Sequence, residues 1–344
     1  MPHIVTWFQF DAAGRGTGAQ VSGDPRASEF LDTYRRCIGV FFASARRANP
    51  GATLEFVTNR LWDSEATQVA AEVDRLLDTL GVELAVVDYD HQPPSTFARR
   101  WWNQFYVLDV IDYLSRSRAS DEPVLILDDD ILFTTAHGSQ SLSSEISTRG
   151  IATMPIGYPR SRRVNGASTE EIAMLLAGPA FDYSGGEFVG AMSSELPGLY
   201  LEAHATYDAL MAAHGEDSAL EFDEAHILSA AYSRLSATAL TEPAAIRRIW
   251  TQPLKYRNVA ANDLGRALWH VPAEKKYGLR RIYSDLVRDF DGFMSMDDSA
   301  WVKYAARKVG IPRNSGAKWT RDVSSALAQR AAKLAPHRRL SLRR

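Results

Sequence analysis

Cys37 is the only thiol in 344 residues, so no disulfide can close within the chain and a reducing compartment is the expectation. It lies in the apolar run Cys37-Ile38-Gly39-Val40-Phe41-Phe42 and reads as a packed core residue. Long hydrophobic runs are missing too: nowhere do about eighteen apolar residues follow one another, which excludes a membrane-spanning helix. Met1-Pro2-His3 enters a strand-like segment without the basic region, apolar stretch and small-residue cleavage site of an export signal, and a cytoplasmic location is expected. Neither sign of charge dominates. With 39 Lys and Arg against 42 Asp and Glu, the formal net charge is -3. A duplex binder carries a clear basic excess, so no nucleic-acid partner is expected. Repeats and low-complexity blocks are absent as well. What is there is a chain 45% hydrophobic and 10% aromatic, long enough for one large or two closely packed domains around a sizeable core.

Apolar, β-rich runs at residues 3–10, 53–58, 82–89 and 123–127 alternate with stretches whose apolar residues recur at three and four, from Phe30 to Ala48, Ser64 to Leu80 and Phe97 to Leu114. That order predicts an α/β fold with a mostly parallel central sheet flanked by helices. After Asp130 come short strands, Gly-rich turns and helices, including the capping box Ser168-Thr169-Glu170-Glu171. The expected division is residues 1–135 as a first half, 136–317 as a second half continuous with it, and 318–344 as a basic helix and tail. In that last stretch eight Lys or Arg stand against one Asp, and Trp319, Val323, Leu327, Ala331 and Leu334 recur at helical spacing. The pattern suits peripheral contact with anionic lipid at the inner face of a membrane, and a solvated terminal helix equally. Gly14-Arg15-Gly16-Thr17-Gly18 follows the first strand but leads into more loop. It fails as a dinucleotide fingerprint and leaves open the phosphate loop of a nucleotidyltransferase.

The run Asp128-Asp129-Asp130 closes the buried strand Val124-Leu125-Ile126-Leu127 and precedes Ile131-Leu132-Phe133. Apolar residues on both sides hold the carboxylates at the carboxyl end of the sheet, where open α/β sheets bind ligands. Three adjacent negative charges repel, and a divalent cation offsets that cost; hard oxygen donors suit Mn²⁺ or Mg²⁺, which would also hold a diphosphate. In an extended segment Asp128 and Asp130 point one way and Asp129 the other, so the first and third are the candidate metal ligands. Asp88-Tyr89-Asp90 is a rival at the end of another strand. Further on, Leu268-Trp269-His270-Val271-Pro272-Ala273-Glu274-Lys275-Lys276 combines a third metal ligand, His270, with Lys275 and Lys276 for a departing phosphate. Asp129 and Arg100 complete the candidate diphosphate contacts. Gly185 and Gly186 sit between aromatic residues, where a substrate can approach the backbone; with Glu187 and His226 they are the candidate acceptor or sugar contacts. Asp223 and Glu224 open a helix, where the dipole favours ionised carboxylates.

In this order the motifs Asp128-Asp129-Asp130-Ile131-Leu132-Phe133, Gly185-Gly186 and Asp223-Glu224-Ala225-His226 resemble the retaining glycosyltransferases of the ABO blood-group and α-1,3-galactosyltransferase family. The resemblance implies an A-type glycosyltransferase fold, a Rossmann-like nucleotide-binding half joined to an acceptor half. It also implies transfer with retention from a nucleotide-diphosphate sugar, often UDP-linked, to a saccharide or other hydroxyl acceptor, with Mn²⁺. Asp128 and Asp130 match the family's Asp-x-Asp, and Glu224 matches the glutamate on the reacting face of the sugar, as nucleophile or as stabiliser of an oxocarbenium-like transition state. The family has Trp and His before its Asp-Glu, where this chain has Glu221 and Phe222, so the acceptor pocket differs. His270 and the lysines after it are similar to the ending of glycogenin-like and bacterial galactosyl-transferring enzymes of the same fold. An inverting transfer with Asp223 or Glu224 as general base, and a nucleotide-sugar binder without turnover, are the alternatives.

Overall fold

The computed structural model describes residues 1–11, 21, 23–63, 65–97, 99–117, 121–216, 220–241, 246–252 and 256–334. The glycine-rich segment at 14–18 and the basic tail beyond residue 334 lie outside the described residues, as does the side chain of Arg100.

Ten strands form two sheets among the described residues. They are β1 (His3–Phe8), β2 (Thr53–Thr58), β3 (Val82–Val86), β4 (Pro123–Leu127), β5 (Ile131–Phe133), β6 (Ile151–Thr153), β7 (Phe188–Met192), β8 (Thr238–Ala239), β9 (Arg247–Arg248) and β10 (Leu268–His270). The larger sheet runs β3-β2-β1-β4-β7-β6-β8 and the smaller β5-β10-β9. From β3 to β4 all pairings are parallel, and β7 enters antiparallel to β4 and to β6. Helices α1 (Ser28–Ala48), α2 (Gln68–Thr79), α3 (Tyr106–Ser117), α4 (Ala136–Arg149), α5 (Thr169–Leu175), α6 (Leu196–Glu216), α7 (Glu224–Arg234), α8 (Gly278–Arg288), α9 (Phe290–Met294), α10 (Asp298–Val309) and α11 (Gly316–Leu334) complete the chain. A mostly parallel sheet flanked by helices is therefore present, as the alternation of strand and helix patterns predicts.

Alternating side chains explain why β1 and β4 read as continuous apolar runs. Ile4, Phe8, Leu125 and Leu127 pack on one face with Phe41 and Phe42 of α1; Val5, Trp7, Val124 and Ile126 pack on the other with α3, α6 and α7 residues such as Val107, Leu199 and Ile227. The chain builds outward from β1 to β3, then crosses back and lays β4 on the opposite side of β1. That reversal is the topological switch point of an open α/β sheet, and a crevice forms beyond the carboxyl ends of the two strands.

Candidate functional site

A cavity of about 550 Å³ occupies this crevice. The first half of the chain contributes Trp7, Phe8 and Gln9 from the end of β1, Phe30 and Tyr34 from α1, and the aspartate run after β4. The second half contributes Tyr158, Tyr183, Gly186, Glu224, Trp250, Tyr256, His270 and Lys275 among others.

The aspartates do not continue the strand. Asp129 and Asp130 form a tight turn in which the Ile131 amide donates to the Asp128 carbonyl at 3.3 Å, so the chain folds from β4 directly into β5. This corrects the extended geometry expected for the run. Asp129 does not point away from its neighbours: its Oδ1 lies 2.6 Å from Lys275 Nζ, and Asp130 Oδ2 lies 2.9 Å from the same ammonium. Asp130 Oδ1 faces His270 Nε2 at 2.9 Å, with Asp128 Oδ2 3.7 Å from that nitrogen. Ligand atoms from Asp128, Asp130 and His270 all fall within 4.8 Å of one another, and this is the one such cluster among the described residues. The rival Asp88-Tyr89-Asp90 contributes nothing to the cavity lining.

His270 reaches this place because β10 pairs antiparallel with β5, setting His270 opposite Ile131, and the Val271 amide donates to the Asp130 carbonyl at 3.1 Å. Behind it, His270 Nδ1 lies 3.0 Å from Glu187 Oε1, and Arg248 Nε donates to that same oxygen at 2.7 Å. Burial opposes a charge on His270, but the carboxylates of Asp130 and Glu187 outweigh it and raise the imidazole to about 10. Burial and the adjacent Asp130 push Asp128 up to about 7. Asp129 rises to about 6 by burial, against the pull of Lys275. Asp130 and Glu187 go the other way: burial is overcome by Lys275 and His270 at the first, by Arg248 and His270 at the second, and both stay well below the usual carboxylate range. Asp129 Oδ2 is buried with no partner among the described residues.

Across the cavity, α7 opens at Asp223. Its carboxylate accepts from the His226 amide at 3.0 Å and from Tyr183 Oη at 2.9 Å, and Asn165 Nδ2 donates to it at 2.5 Å. Burial is offset by these partners, His226 first, and Asp223 is held below its ordinary value. Glu224, 7% exposed, has an Oε2 without a partner among the described residues. Burial, then the charge of Asp223, raises its carboxyl well above the usual range. A Cβ at Gly186 would collide with Glu224 Oε1, so glycine there is what leaves room for this carboxyl beside the cavity.

Sequence comparison is silent: no protein-family model and no curated protein matches the chain. Solved structures do match. The chain is similar to the galactosyltransferase LgtC in complex with donor and acceptor sugar analogs, at 12% identity and a TM-score of 0.49 over 84% of this chain and 96% of that one. An active-site mutant of LgtC matches at 13% identity and a TM-score of 0.46, over 79% and 87% of the two chains. The apo-form glycosyltransferase GlyE of Streptococcus pneumoniae TIGR4 matches at 12% identity and a TM-score of 0.40, over 91% of this chain and 65% of that one. What the site does has to come from its own residues.

Of the residues expected at the site, Asp128, Asp129, Asp130, Gly186, Glu187, Asp223, Glu224, His270 and Lys275 line the cavity. Three expectations are corrected. His226 is fully buried as the capping-box partner of Asp223, its Nε2 3.1 Å from the Ala167 carbonyl, and does not reach the cavity. Gly185 makes space for the Glu187 carboxylate and Met154 rather than for a ligand. Lys276 is absent from the lining. Glu187 is present, but its carboxylate is occupied by Arg248 and His270. Arg248, Asn165 and Tyr183 were not singled out. Asn165 carried one legible signal: it precedes a glycine, and it adopts a left-handed φ of 50° that asparagine tolerates better than most residues. Arg248 carried none, since its partner lies 61 residues away.

Proposed function

We propose that the chain is a metal-dependent glycosyltransferase of the A-type fold. It would move a sugar from a nucleoside-diphosphate donor, UDP-linked in the first instance, to a saccharide or other hydroxyl acceptor with retention of configuration. One observation carries this reading: a two-carboxylate, one-imidazole donor set and a separate buried carboxyl with an unpartnered oxygen meet on one cavity at the switch point of the sheet.

The donor set fits a divalent cation. Asp128 and Asp130 offer hard oxygens and His270 a nitrogen, a mixture that suits Mn²⁺ at least as well as Mg²⁺. Glu187 stands behind His270 Nδ1 at 3.0 Å, the outer carboxylate that orients an imidazole ligand and fixes its tautomer. Bound there, the cation would neutralise the diphosphate as it leaves. Lys275 adds a fixed positive charge beside the same carboxylates. Glu224 faces the sugar as positive charge develops on it, an environment that draws the carboxylate form from a carboxyl otherwise kept neutral. Tyr158, Trp250 and Tyr256 line the second-half wall and supply aromatic surface for a saccharide there.

A thermal-shift panel of UDP, GDP and dTDP with their sugars, with and without Mn²⁺, tests the reading. UDP with Mn²⁺ is expected to raise Tm more than either alone, since a ligand at 100 times its Kd adds about 2.7 kcal/mol. Asp130→Ala is expected to abolish that increment, and NMR of the product anomer checks retention. If no nucleotide raises Tm in the presence of Mn²⁺, the proposal fails.

A further inference from the structure

Lys318 lies in the first turn of α11, within the stretch whose composition reads as a basic surface helix, yet its side chain is only 3% exposed. Its Nζ is 2.9 Å from Glu274 Oε1 and pairs with Asp322 Oδ2 one turn on. Glu274 is itself 1% exposed. It accepts from the Thr251 hydroxyl through Oε1, and from the Gly278 amide at 2.8 Å through Oε2. Arg281 of α8 reaches Asp322 at 3.3 Å, and Arg257 donates to the Gly310 and Pro312 carbonyls at 2.8 Å each, just before α11 begins. The contacts of Lys318, Thr251 and Gly278 converge on one short turn, Pro272–Glu274, and the next residue is Lys275.

We propose that Lys318, acting through Glu274, is a positioning residue for Lys275 and for the segment around Thr251, so that α11 is a working part of the cavity rather than an appended basic tail. Three things connect it. Glu274 ties the Thr251 segment, whose neighbours Trp250 and Gln252 line the cavity, to the turn bearing Pro272 and Lys275, which line it too. The Lys275 ammonium has to sit between Asp129 and Asp130, and an amine on a flexible four-carbon stem is placed no better than its Cα. And a buried carboxylate deprived of its cation does not stay where it is, because an uncompensated buried charge is strongly unfavourable. Trp319 and Leu327 of the apolar stripe are 49% and 52% exposed, so these two do not dock α11.

The positioning is independent of what Lys275 binds; only its effect on a diphosphate rests on the function proposed above. Amine acylation of the full chain, mapped by mass spectrometry without any nucleotide, reads it directly. Exposed Lys303 serves as the reference. In Lys318→Met the Lys275 rate is expected to rise about tenfold through local opening, with Lys303 unchanged and with Lys318→Arg restoring protection. Because Lys318→Met strands a carboxylate and can fail to fold, the charge-balanced Glu274→Gln/Lys318→Met protein is the second variant, with a smaller rise expected because the Lys318 tie is lost but no charge is stranded. A folded double variant that loses thermal stability while Lys275 keeps its wild-type rate makes Lys318 a simple anchor and overturns the proposal. UDP affinity with Mn²⁺ forms a separate arm. Weakening in the same variants supports the proposal, whereas a wild-type protein that binds no UDP sinks the transferase reading and leaves the acylation result standing.

Discussion

In the proposed transfer Glu224 faces the reacting sugar, and its electrostatics make a prediction that needs no substrate. Its carboxyl is raised well above the ordinary value of 4.5, so between that value and the folded one the unfolded chain loses this proton while the folded chain keeps it. Folding then binds the extra proton, and the stability owed to this group is intact at low pH and is lost as pH rises. Glu224→Gln is neutral in both states. It is expected to gain stability relative to the parent from about pH 4.5 upward, read as a Tm difference between pH 5 and pH 8; a difference that shrinks with pH contradicts the assignment. In turnover the same substitution is expected to retain nucleotide-dependent stabilisation and lose most transfer. Glu187 belongs at this scale as well. Its carboxylate touches His270 Nδ1 rather than any candidate ligand position, and Glu187→Gln is expected to weaken Mn²⁺ binding about 10- to 100-fold by calorimetry, with the fold intact by circular dichroism.

At the scale of elements, the turn between β4 and β5 and the glycine before β7 set the site. Gly186→Ala introduces a Cβ against Glu224 Oε1, so the carboxyl must move while the backbone of the turn need not. We expect a near-native Tm with transfer reduced about 100-fold, the scale of loss that follows a displacement of about 1 Å. The strands were the most legible part of the sequence. β2 and β4 fall at residues 53–58 and 123–127 as their apolar runs predict, because a strand buried on both faces leaves a continuous signal. Helix starts were less so: within the run from Phe97, Arg99–Phe105 is a 3-10 helix and the α-helix begins only at Tyr106. The capping box at Ser168 formed as its spacing required. The three aspartates were legible as a cluster but not as a turn, since nothing in Asp-Asp-Asp distinguishes an extended strand end from a tight turn into a second sheet. The network at Lys318 was invisible. It links residues 44 positions apart, and composition gives a lysine in a basic segment to solvent.

For the whole molecule, the two faces of the sheet are separate stores of stability, and the cavity hangs at the seam between them. Phe41 of α1, fully buried on one face, touches Phe42 and Phe133 edge-on at 5.1 and 5.8 Å and does not line the cavity. Phe41→Ala is expected to cost about 3–5 kcal/mol by urea denaturation, while Mn²⁺ affinity measured well below the transition stays unchanged. Loss of both together would mean that the α1 face and the cavity are one cooperative unit. No described helix is long and apolar enough to cross a membrane.

The cavity wall has one more use. Trp7 comes from the first half of the chain and Trp250 from the second, and both indoles border the same void, whereas Trp269 and Trp301 are sealed in the core. Whatever enters between the halves changes the polarity around two of the eight indoles, while Trp269 and Trp301 stay as a constant background. The protein thus carries its own optical gauge of occupancy, and Trp7→Phe and Trp250→Phe would tell which side of the crevice a ligand touches first.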